Sequence, residues 1–430
     1  MTLILLFGGL LVLVGLGLPV LLAIGLTSAA GIFVMPGVNF ALFAQRTFAM
    51  LDSFSLLALP YFILAGSLMS KGGLSGALVT FAQTLVGHLR GSLGHTSVVA
   101  CTAMANVSGS SAAEAASIGS IMIPSMKKQG YQPGLAASIV AVAAIIGPII
   151  PPSMTMIVYG AMTGVSIGGL FMAGIVPGLL LAALLSGFIR ILAMFPQYPA
   201  LRHHTKRATF REILNGIRGA WVALLAPFII LGGIFAGVFT ATEAGVAACL
   251  YSAIVSMFVY REIRLRDLPG IFLDAAVTVA MVVGIIAVAG ALGWLLSYVN
   301  FNQSVLALLQ SISSDRYVVL LSLLGIILIL TMFLESLAVL IVFVPVAAYV
   351  GQAFGFDPLH LGILMIVTTQ LGAVTPPVAV LLFITSAIAE ARFVDVVKHA
   401  LPFIGVLIVY LLILAFVPQI STTVPHLLGH

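Results

Sequence analysis

The sequence predicts an all-α polytopic membrane protein with an inverted structural repeat, in which each half holds one re-entrant helical hairpin and one discontinuous helix. Three observations predict this fold. The composition is that of a membrane protein, with 62% hydrophobic and 7% charged residues. Two stretches rich in Gly, Ser and Pro interrupt otherwise apolar segments. The same landmarks recur at matching spacing in both halves of the 430-residue chain.

The composition also limits the class of function. A mean hydropathy of +1.26 excludes a soluble globular domain, and about 20 apolar residues per span leave room for about ten to twelve spans. The net charge of +5 comes mostly from loop Lys and Arg, which report orientation, and no basic aromatic patch indicates nucleic-acid binding. The N-terminus has no basic leader region or cleavage site, so residues 1–35 are predicted to be a retained membrane segment.

The first interruption has two parts. Gly109-Ser110-Ser111 breaks one apolar stretch, and residues 147–153 (Gly-Pro-Ile-Ile-Pro-Pro-Ser) break a later one. Unpaired backbone groups are costly in hydrocarbon, so a lipid-facing helix does not tolerate such breaks at mid-depth. They persist where the released carbonyls and amides are buried in protein or line a cavity, and there they become ligands for ions and anions.

The second half repeats this arrangement. The corresponding landmarks, first half before second, are Glu114 and Glu335, Pro124 and Pro345, Pro133 and Pro358, Gly147 and Gly372, Pro151-Pro152 and Pro376-Pro377, and Pro177 and Pro402. Each acid precedes its proline by ten residues, and each glycine precedes its proline pair by four. Two broken-helix units in corresponding positions are the best sequence indication of a transporter's binding site.

The predicted domains are a first repeat at 1–195, a basic cytoplasmic connector at 196–218 and a second repeat at 219–430. Apolar length predicts the spans, and amphipathic pattern predicts helices at the membrane surface. The first repeat has apolar segments at 2–35 (interrupted by Pro19), 51–70, 97–106, 134–162 and 168–194, with a surface helix at 74–89. The second has them at 221–239, 243–260, 271–299, 317–334, 359–389 and 399–416, with a surface helix at 304–312.

Short-loop charges give the orientation. With the basic connector in the cytoplasm, counting spans places Lys127, Lys128 and the loop at 261–266 there as well. The loop at 348–359, at the base of the second hairpin, contains Asp357 but no Lys or Arg, as expected of an outside loop. The two hairpins are therefore predicted to enter the membrane from opposite faces.

Glu114 and Glu335 are acids on predicted helices otherwise rich in Ala, Ser, Leu and Val. An intramembrane carboxylate is costly and indicates a functional site, so Glu114 and Glu335 either contact an ion or cap backbone amides at a hairpin tip. Glu243 is predicted to be structural, in the first turn of a helix with Thr242 as its N-cap.

The breaks also supply ligands for a hard cation. Sodium prefers several oxygen ligands, and proline leaves carbonyls without amide partners. Ser108, Ser110 and Ser111 add hydroxyl oxygens, although serines also serve as caps and small packing residues. A tip facing a break forms one cage, so two copies predict two sodium sites. The alternative is that the prolines only kink helices for packing.

Enzyme classes are not indicated. The sequence has no Walker loop, no HExxH and no Ser/His/Asp arrangement, and its eight histidines show no metal-ligand spacing. We therefore expect no catalytic residue, no organic cofactor and no transition-metal site.

Motifs across nearly the whole chain resemble the large membrane subunit of TRAP (tripartite ATP-independent periplasmic) transporters. The matching segments are 109–115 (GSSAAEA), 124–126 (PSM), 147–153, 333–335 (FLE) and 372–377 (GAVTPP). The resemblance implies sodium-coupled symport of an organic acid by an elevator-type fold of the ion-transporter superfamily, in the bacterial inner membrane. It also implies two partners, a small four-helix membrane subunit and a periplasmic substrate-binding protein. Because the chain begins directly with the large subunit, the small subunit is expected to be a separate chain.

The resemblance implies site residues as well. The first sodium cage would use Ser108, Gly109, Ser110, Ser111, Gly147, Pro148 and Pro151. The second would use Glu335, Ser336, Thr369, Gly372, Val374 and Thr375. The substrate carboxylate would lie between the tips, near Ser110, Ser153 and Thr375, where free amides at helix N-termini favour an anion. The second tip lacks a Ser-Ser pair, so the tip that contacts substrate stays open.

Two alternatives remain. A stand-alone sodium/dicarboxylate carrier shares inverted hairpins and needs no binding protein, but the Ser-Asn-Thr tips expected of it are missing. A channel or a non-transporting scaffold would need acids or carbonyls around one pore, whereas the acids here are scattered. Sialic acid, a four-carbon dicarboxylate, a keto acid or a sugar acid would each fit as substrate.

Overall fold

The computed structural model of the protein describes residues 2–203 and 206–429, apart from the side chains at 2–5, 7, 11, 107 and 108. Within this part of the chain the structure contains twenty α-helices and no strand. Eight helical segments are long and apolar enough to cross a bilayer. The predicted all-α fold with membrane-spanning helices is therefore confirmed.

The first half contains ten α-helices. They are α1 (Thr2–Gly15), α2 (Val20–Val34), α3 (Ala41–Leu51), α4 (Ala58–Lys71), α5 (Leu74–Val86), α6 (Ser92–Ser108), α7 (Ser111–Lys128), α8 (Pro133–Ala144), α9 (Met154–Thr163) and α10 (Ile167–Leu192). The predicted interruption at Pro19 separates α1 from α2. The predicted surface helix is α5, which is half-buried because it packs against α6 and against the first helix of the second half.

The second half contains the other ten. They are α11 (Phe210–Phe235), α12 (Ala241–Ile254), α13 (Leu268–Tyr298), α14 (Phe301–Ile312), α15 (Arg316–Phe333), α16 (Ser336–Ala353), α17 (Pro358–Val374), α18 (Val380–Ala389), α19 (Phe393–Phe416) and α20 (Gln419–Leu427). Helix α11 begins at Phe210, eleven residues before the predicted start at Trp221. Apolar length alone missed its polar first turns.

Two capping boxes explain where α11 and α12 begin. At α11 the Thr209 amide donates to the Glu212 carboxylate at 2.7 Å, while the Glu212 amide points to the Thr209 hydroxyl. At α12 the same exchange joins Thr240 and Glu243. Glu243 is structural, as predicted, but its capping partner is Thr240 and not Thr242. A carboxylate at the third helical position reaches back to the residue before the helix, which the prediction overlooked.

Helices α8 and α17 form the centre of the molecule. Every residue from Gly134 to Ala144 and from Leu359 to Val374 is buried. A helix that is apolar on all sides is covered on all sides. Each of these helices ends at a proline-rich break, so both breaks begin in the interior of the fold.

Each half exchanges contacts with the other. We call α6–α7 the first helix pair and α15–α16 the second helix pair. Helix α7 packs against α8 of its own half and α18 of the other, and α16 packs against α17 and α9 in the corresponding way. At the end of α7 the Lys127 ammonium donates to the Ala389 carbonyl, which closes α18, at 2.9 Å. The helix pairs and broken helices therefore form one packed cluster.

The remaining helices surround this cluster as a scaffold, and they too pair across the halves. Helix α4 packs against α12, while α13 packs against α2 and α3. Helices α10 and α19, which follow the broken helices, contact each other. The main hydrophobic core contains residues of both halves of the chain.

Candidate ion and substrate site at two helix breaks

The first break comprises residues 145–153, between α8 and α9. All nine residues are buried. The peptide bond between Pro151 and Pro152 is cis. Because Pro148 carries no amide hydrogen, it cannot donate to the Ala144 carbonyl, which accepts from the Gly147 amide at 3.2 Å.

Two hydroxyl groups lie at a carbonyl of the break itself, that of Pro148. Ser153 is fully buried and donates to the Pro148 carbonyl at 2.6 Å, and the Thr155 hydroxyl lies 2.8 Å from that of Ser153. The Ser153 oxygen also accepts from the Met156 amide at 3.4 Å, so it caps α9. A predicted sodium ligand, Pro148, and a predicted substrate ligand, Ser153, thus lie in direct contact.

The first tip comprises residues 109–110, between α6 and α7. Gly109 has a φ of +55°, and a Cβ added there would lie 2.7 Å from the Pro152 carbonyl oxygen. Glycine is needed at this position because the left-handed backbone and the close approach both exclude a side chain. Ser110 caps α7 by accepting from the Ala113 amide at 3.4 Å. The first tip therefore touches the first break.

Two of the predicted serines flank this tip. Ser111 is the first residue of α7 and is half-buried. Ser108 is the last residue of α6, and its side chain lies outside the described residues.

Glu114 lies against the same break. Its side chain is fully buried, and a Cβ added to Gly147 would lie 2.5 Å from its Oε1 atom. The glycine of the break is thus the residue that makes room for this carboxylate. Glu114 was absent from the predicted ligand set, although an acid inside an apolar segment signals a functional position.

The second break comprises residues 375–379, between α17 and α18, and it is more open. Pro377 and Val378 are exposed, while Thr375 and Pro376 are half-buried. The Pro376–Pro377 bond is cis, as in the first break. The Val378 amide donates to the Met332 carbonyl of α15 at 3.2 Å, so this break is joined to the helix pair of its own half.

The second tip comprises residues 334–335, between α15 and α16. Glu335 is exposed and caps α16, accepting from the Ala338 amide at 2.9 Å. A Cβ added to Gly372 would lie 2.5 Å from Cβ of Thr331, so α15 and α17 approach closely just below this tip. Ser336 begins α16 and is half-buried.

The other predicted residues of the second half are already hydrogen-bonded or buried. Thr375 donates to the Leu371 carbonyl at 2.6 Å, and the buried Thr369 donates to the Ile366 carbonyl at 2.9 Å. Val374 is buried at the end of α17. The structure therefore brings the first tip to the first break and the end of α15 to the second break. Carbonyl, hydroxyl and carboxylate oxygens lie close together at the first break.

This chain is similar to known membrane transport proteins. Residues 7–420 match the family described as "Tripartite ATP-independent periplasmic transporter, DctM component". The C4-dicarboxylate TRAP transporter large permease protein DctM of Pseudomonas aeruginosa is 38% identical over 407 residues, covering 95% of this chain and 94% of that protein. The sialic acid TRAP transporter large permease protein SiaM of Vibrio cholerae is 34% identical over 391 residues, covering 91% and 90%.

A solved structure shares the fold. The YdaH transporter of Alcanivorax borkumensis matches with a TM-score of 0.58 over 88% of each chain, at 14% sequence identity. The family match extends over nearly all of the sequence and includes both tips and both breaks. The chain therefore belongs to the large permease (DctM) family of TRAP transporters and is an integral protein of the bacterial inner membrane.

Proposed function

We propose that the protein imports an organic acid by sodium-coupled symport, as the large permease of a tripartite transporter. The observation that carries the proposal is the buried first break, where the tip, the carbonyls of residues 145–153 and the Glu114 carboxylate converge. Buried oxygen atoms at a helix break are suited to a hard cation. The relatives named above are described as permeases for a C4-dicarboxylate and for sialic acid, which are both carboxylic acids.

Two sodium ions are proposed, one at each tip and break. At the first break the ligands are drawn from the predicted set around Ser110, Gly147 and Pro148, to which we add Glu114 because its carboxylate lies against Gly147. At the second break they are drawn from the set around Glu335, Gly372 and Thr375. No organic cofactor enters the proposal.

The substrate carboxylate is proposed to bind where the first tip meets the first break. The N-termini of α7 and α9 are capped by the neutral hydroxyls of Ser110 and Ser153. The N-terminus of α16 is capped by the Glu335 carboxylate, which already supplies a negative charge there. Because a helix N-terminus favours an anion and like charges repel, and because Glu114 already lies in the first turn of α7, the N-terminus of α9 at Ser153 is better placed to receive a substrate anion.

Transport is proposed to use inverted, re-entrant hairpins that move as an elevator within the scaffold. The support is the exchange of contacts between the halves and the loop charges, with Lys127 and Lys128 at the base of the first pair. Single cysteines at Gln129 and Gly355, in a background without Cys101 and Cys249, should react with an impermeant thiol reagent from opposite sides. Reaction from the same side would contradict the inverted arrangement.

Sodium dependence tests the coupling. Ser110→Ala and Thr375→Ala should weaken sodium activation of uptake, because each removes one oxygen from a proposed cage. A loss of about 1–3 kcal/mol per oxygen corresponds to a shift of roughly 5- to 150-fold in apparent sodium affinity. The matched control is Ser322→Ala, which removes an exposed hydroxyl that donates to the Val318 carbonyl in α15. Unchanged sodium activation in both the Ser110→Ala and the Thr375→Ala variants would indicate that these residues serve only in packing.

The requirement for partner proteins distinguishes this proposal from that of a stand-alone carrier. We expect the purified chain in proteoliposomes to transport little substrate alone. Uptake should begin when a small membrane subunit and a periplasmic binding protein are added under an inward sodium gradient. Strong sodium-coupled uptake of free substrate by the single chain would support the stand-alone carrier, and absence of any transport with all partners would support a scaffold.

A further inference from the structure

A polar cavity of about 700 Å³ lies between the scaffold and helix α7. Its lining residues are Ser70, Lys71, Gly73, Ser75, Gly76, Ala113, Ala116, Ser117, Ser120, Ile121 and Glu262. By contrast, the cavity of about 550 Å³ between α4 and α13 is lined only by apolar residues and glycine. An apolar groove suits lipid chains, whereas hydroxyl and charged groups favour water and polar solutes. The cavity beside α7 is therefore suited to an aqueous solute.

The floor of this cavity is one face of α7. Ala113, Ala116 and Ser120 follow each other at helical spacing and extend from the first tip towards the basic end of the helix. All three have small side chains, so this face of α7 leaves room for a solute. Ser117 lies beside them, and its hydroxyl is 2.7 Å from that of Ser75 on the scaffold. The cavity thus lies along the helix that begins at the first tip and carries Lys127 and Lys128 in its last turn.

One lysine lies at the mouth of the cavity and forms an ion pair there. Lys71 ends α4, and its ammonium lies 2.5 Å from the carboxylate of Asp274 on α13. Both side chains are at least half exposed. An exposed Lys–Asp pair contributes little net stabilisation because solvent screens it. Another carboxylate can therefore replace Asp274 at little cost.

We propose that the transported organic acid passes through this cavity and binds there through its carboxylate to Lys71. This inference rests on the proposed function and adds a residue that selects anions at the cytoplasmic mouth. Asp274 is a positioning residue, since it holds the ammonium at the cavity without lining it. Glu262 also lines the cavity, next to Gly73, and its negative charge keeps the binding weak, as release into the cytoplasm requires.

The test measures charge selection in the cavity without relying on transport. An Ala116→Cys variant lacking Cys101 and Cys249 is placed in inside-out vesicles. Its rates of reaction are compared for an anionic sulfonatoethyl and a cationic trimethylammonioethyl methanethiosulfonate. We expect Lys71→Gln to lower the anion-to-cation rate ratio about three- to tenfold, because one positive charge near the thiol is lost. Asp274→Asn should raise the ratio, and Lys71→Arg should preserve it.

A cysteine at Gln129 serves as the control, because this exposed residue lies in the turn after α7 and does not line the cavity. Its rate ratio should not respond to Lys71→Gln. The proposal would be overturned if the cysteine at position 116 does not react. It would also be overturned if the anion-to-cation rate ratio at that cysteine is unchanged by both Lys71→Gln and Asp274→Asn. Sodium-driven uptake is measured separately, so failure of charge selection and failure of the transport function give different results.

Discussion

The two helix breaks share their sequence landmarks but not their environments. The first break is buried throughout, with the Glu114 carboxylate packed against Gly147. In the second, Pro377 and Val378 are exposed, and the acid at the corresponding landmark, Glu335, caps α16 at the surface. The same sequence landmarks therefore lie in two different chemical environments.

The tips explain the difference. In the first tip Gly109 adopts a left-handed conformation, which lets the chain approach Pro152 closely and leaves Glu114 to enter the interior one turn later. In the second tip Leu334 is extended, and the acid comes directly before α16, where its carboxylate accepts the Ala338 amide. A shift of the acid relative to the helix start changes it from a cap to a buried group.

The largest expected effect comes from filling the first tip. Gly109→Ala should destabilise the protein by about 2–5 kcal/mol, combining roughly 1–2 kcal/mol for the left-handed backbone with the overlap against Pro152. The control is Gly130→Ala, because Gly130 has a φ of +86° but open space around its Cβ position. Thermal unfolding in detergent should show a markedly larger loss for Gly109→Ala. Equal losses would mean that the first tip does not press against the first break.

The two acids provide the second comparison. Glu114→Ala should cost about 2–4 kcal/mol, since it leaves a cavity and removes a buried hydrogen-bonding group. Glu335→Ala should cost only about 1 kcal/mol, the value of a helix cap. The unfolding midpoints of the two variants measure this difference. A larger loss for Glu335→Ala would contradict the assignment of the buried role to Glu114.

The smallest expected difference is between two hydroxyl groups, that of Ser153 at the end of the first break and that of Thr375 at the start of the second. Ser153→Ala removes the cap of α9 and the donor to the Pro148 carbonyl, so it should cost roughly 1–2 kcal/mol. Thr375→Val removes the hydroxyl that donates to the Leu371 carbonyl of α17. Because Thr375 is only half-buried, we expect a loss of roughly 0.5 kcal/mol in the free energy of unfolding. The same unfolding assay, with Ser322→Ala as the surface control, ranks the three. If Thr375→Val lowers the unfolding midpoint more than Ser153→Ala does, the second break is packed more tightly against the rest of the protein than its exposure indicates.

Much of the fold followed from the sequence because glycine and proline have strong backbone preferences. The interruption at Pro19 and the breaks before α9 and α18 lie where these residues predicted them. The start of α11 was missed because its first turns are polar, and the cap at Thr240 was missed because Thr242 lies nearer to Glu243. Hydropathy reports burial in lipid and carries no information about capping.

The candidate site was predicted less completely. Sequence spacing identified the tips and breaks, but it could not rank one acid above the other, because burial depends on how far each tip enters the fold. Nor could it indicate that Ser153 bonds to Pro148, since that contact arises from the path of the chain through residues 145–153. The polar cavity beside Lys71 brings together segments almost 200 residues apart, which no local pattern reveals.

The broken helices also constrain how the protein is made. Helix α8 has 12 residues and α9 has 10, so at 1.5 Å per residue they extend about 18 and 15 Å. Neither half alone reaches across a hydrocarbon core of about 30 Å. During synthesis α8 therefore cannot be released into lipid as an independent span. We expect α8 to stay beside the insertion machinery until α9 has emerged, while the first helix pair, which precedes it in the chain, covers the polar break.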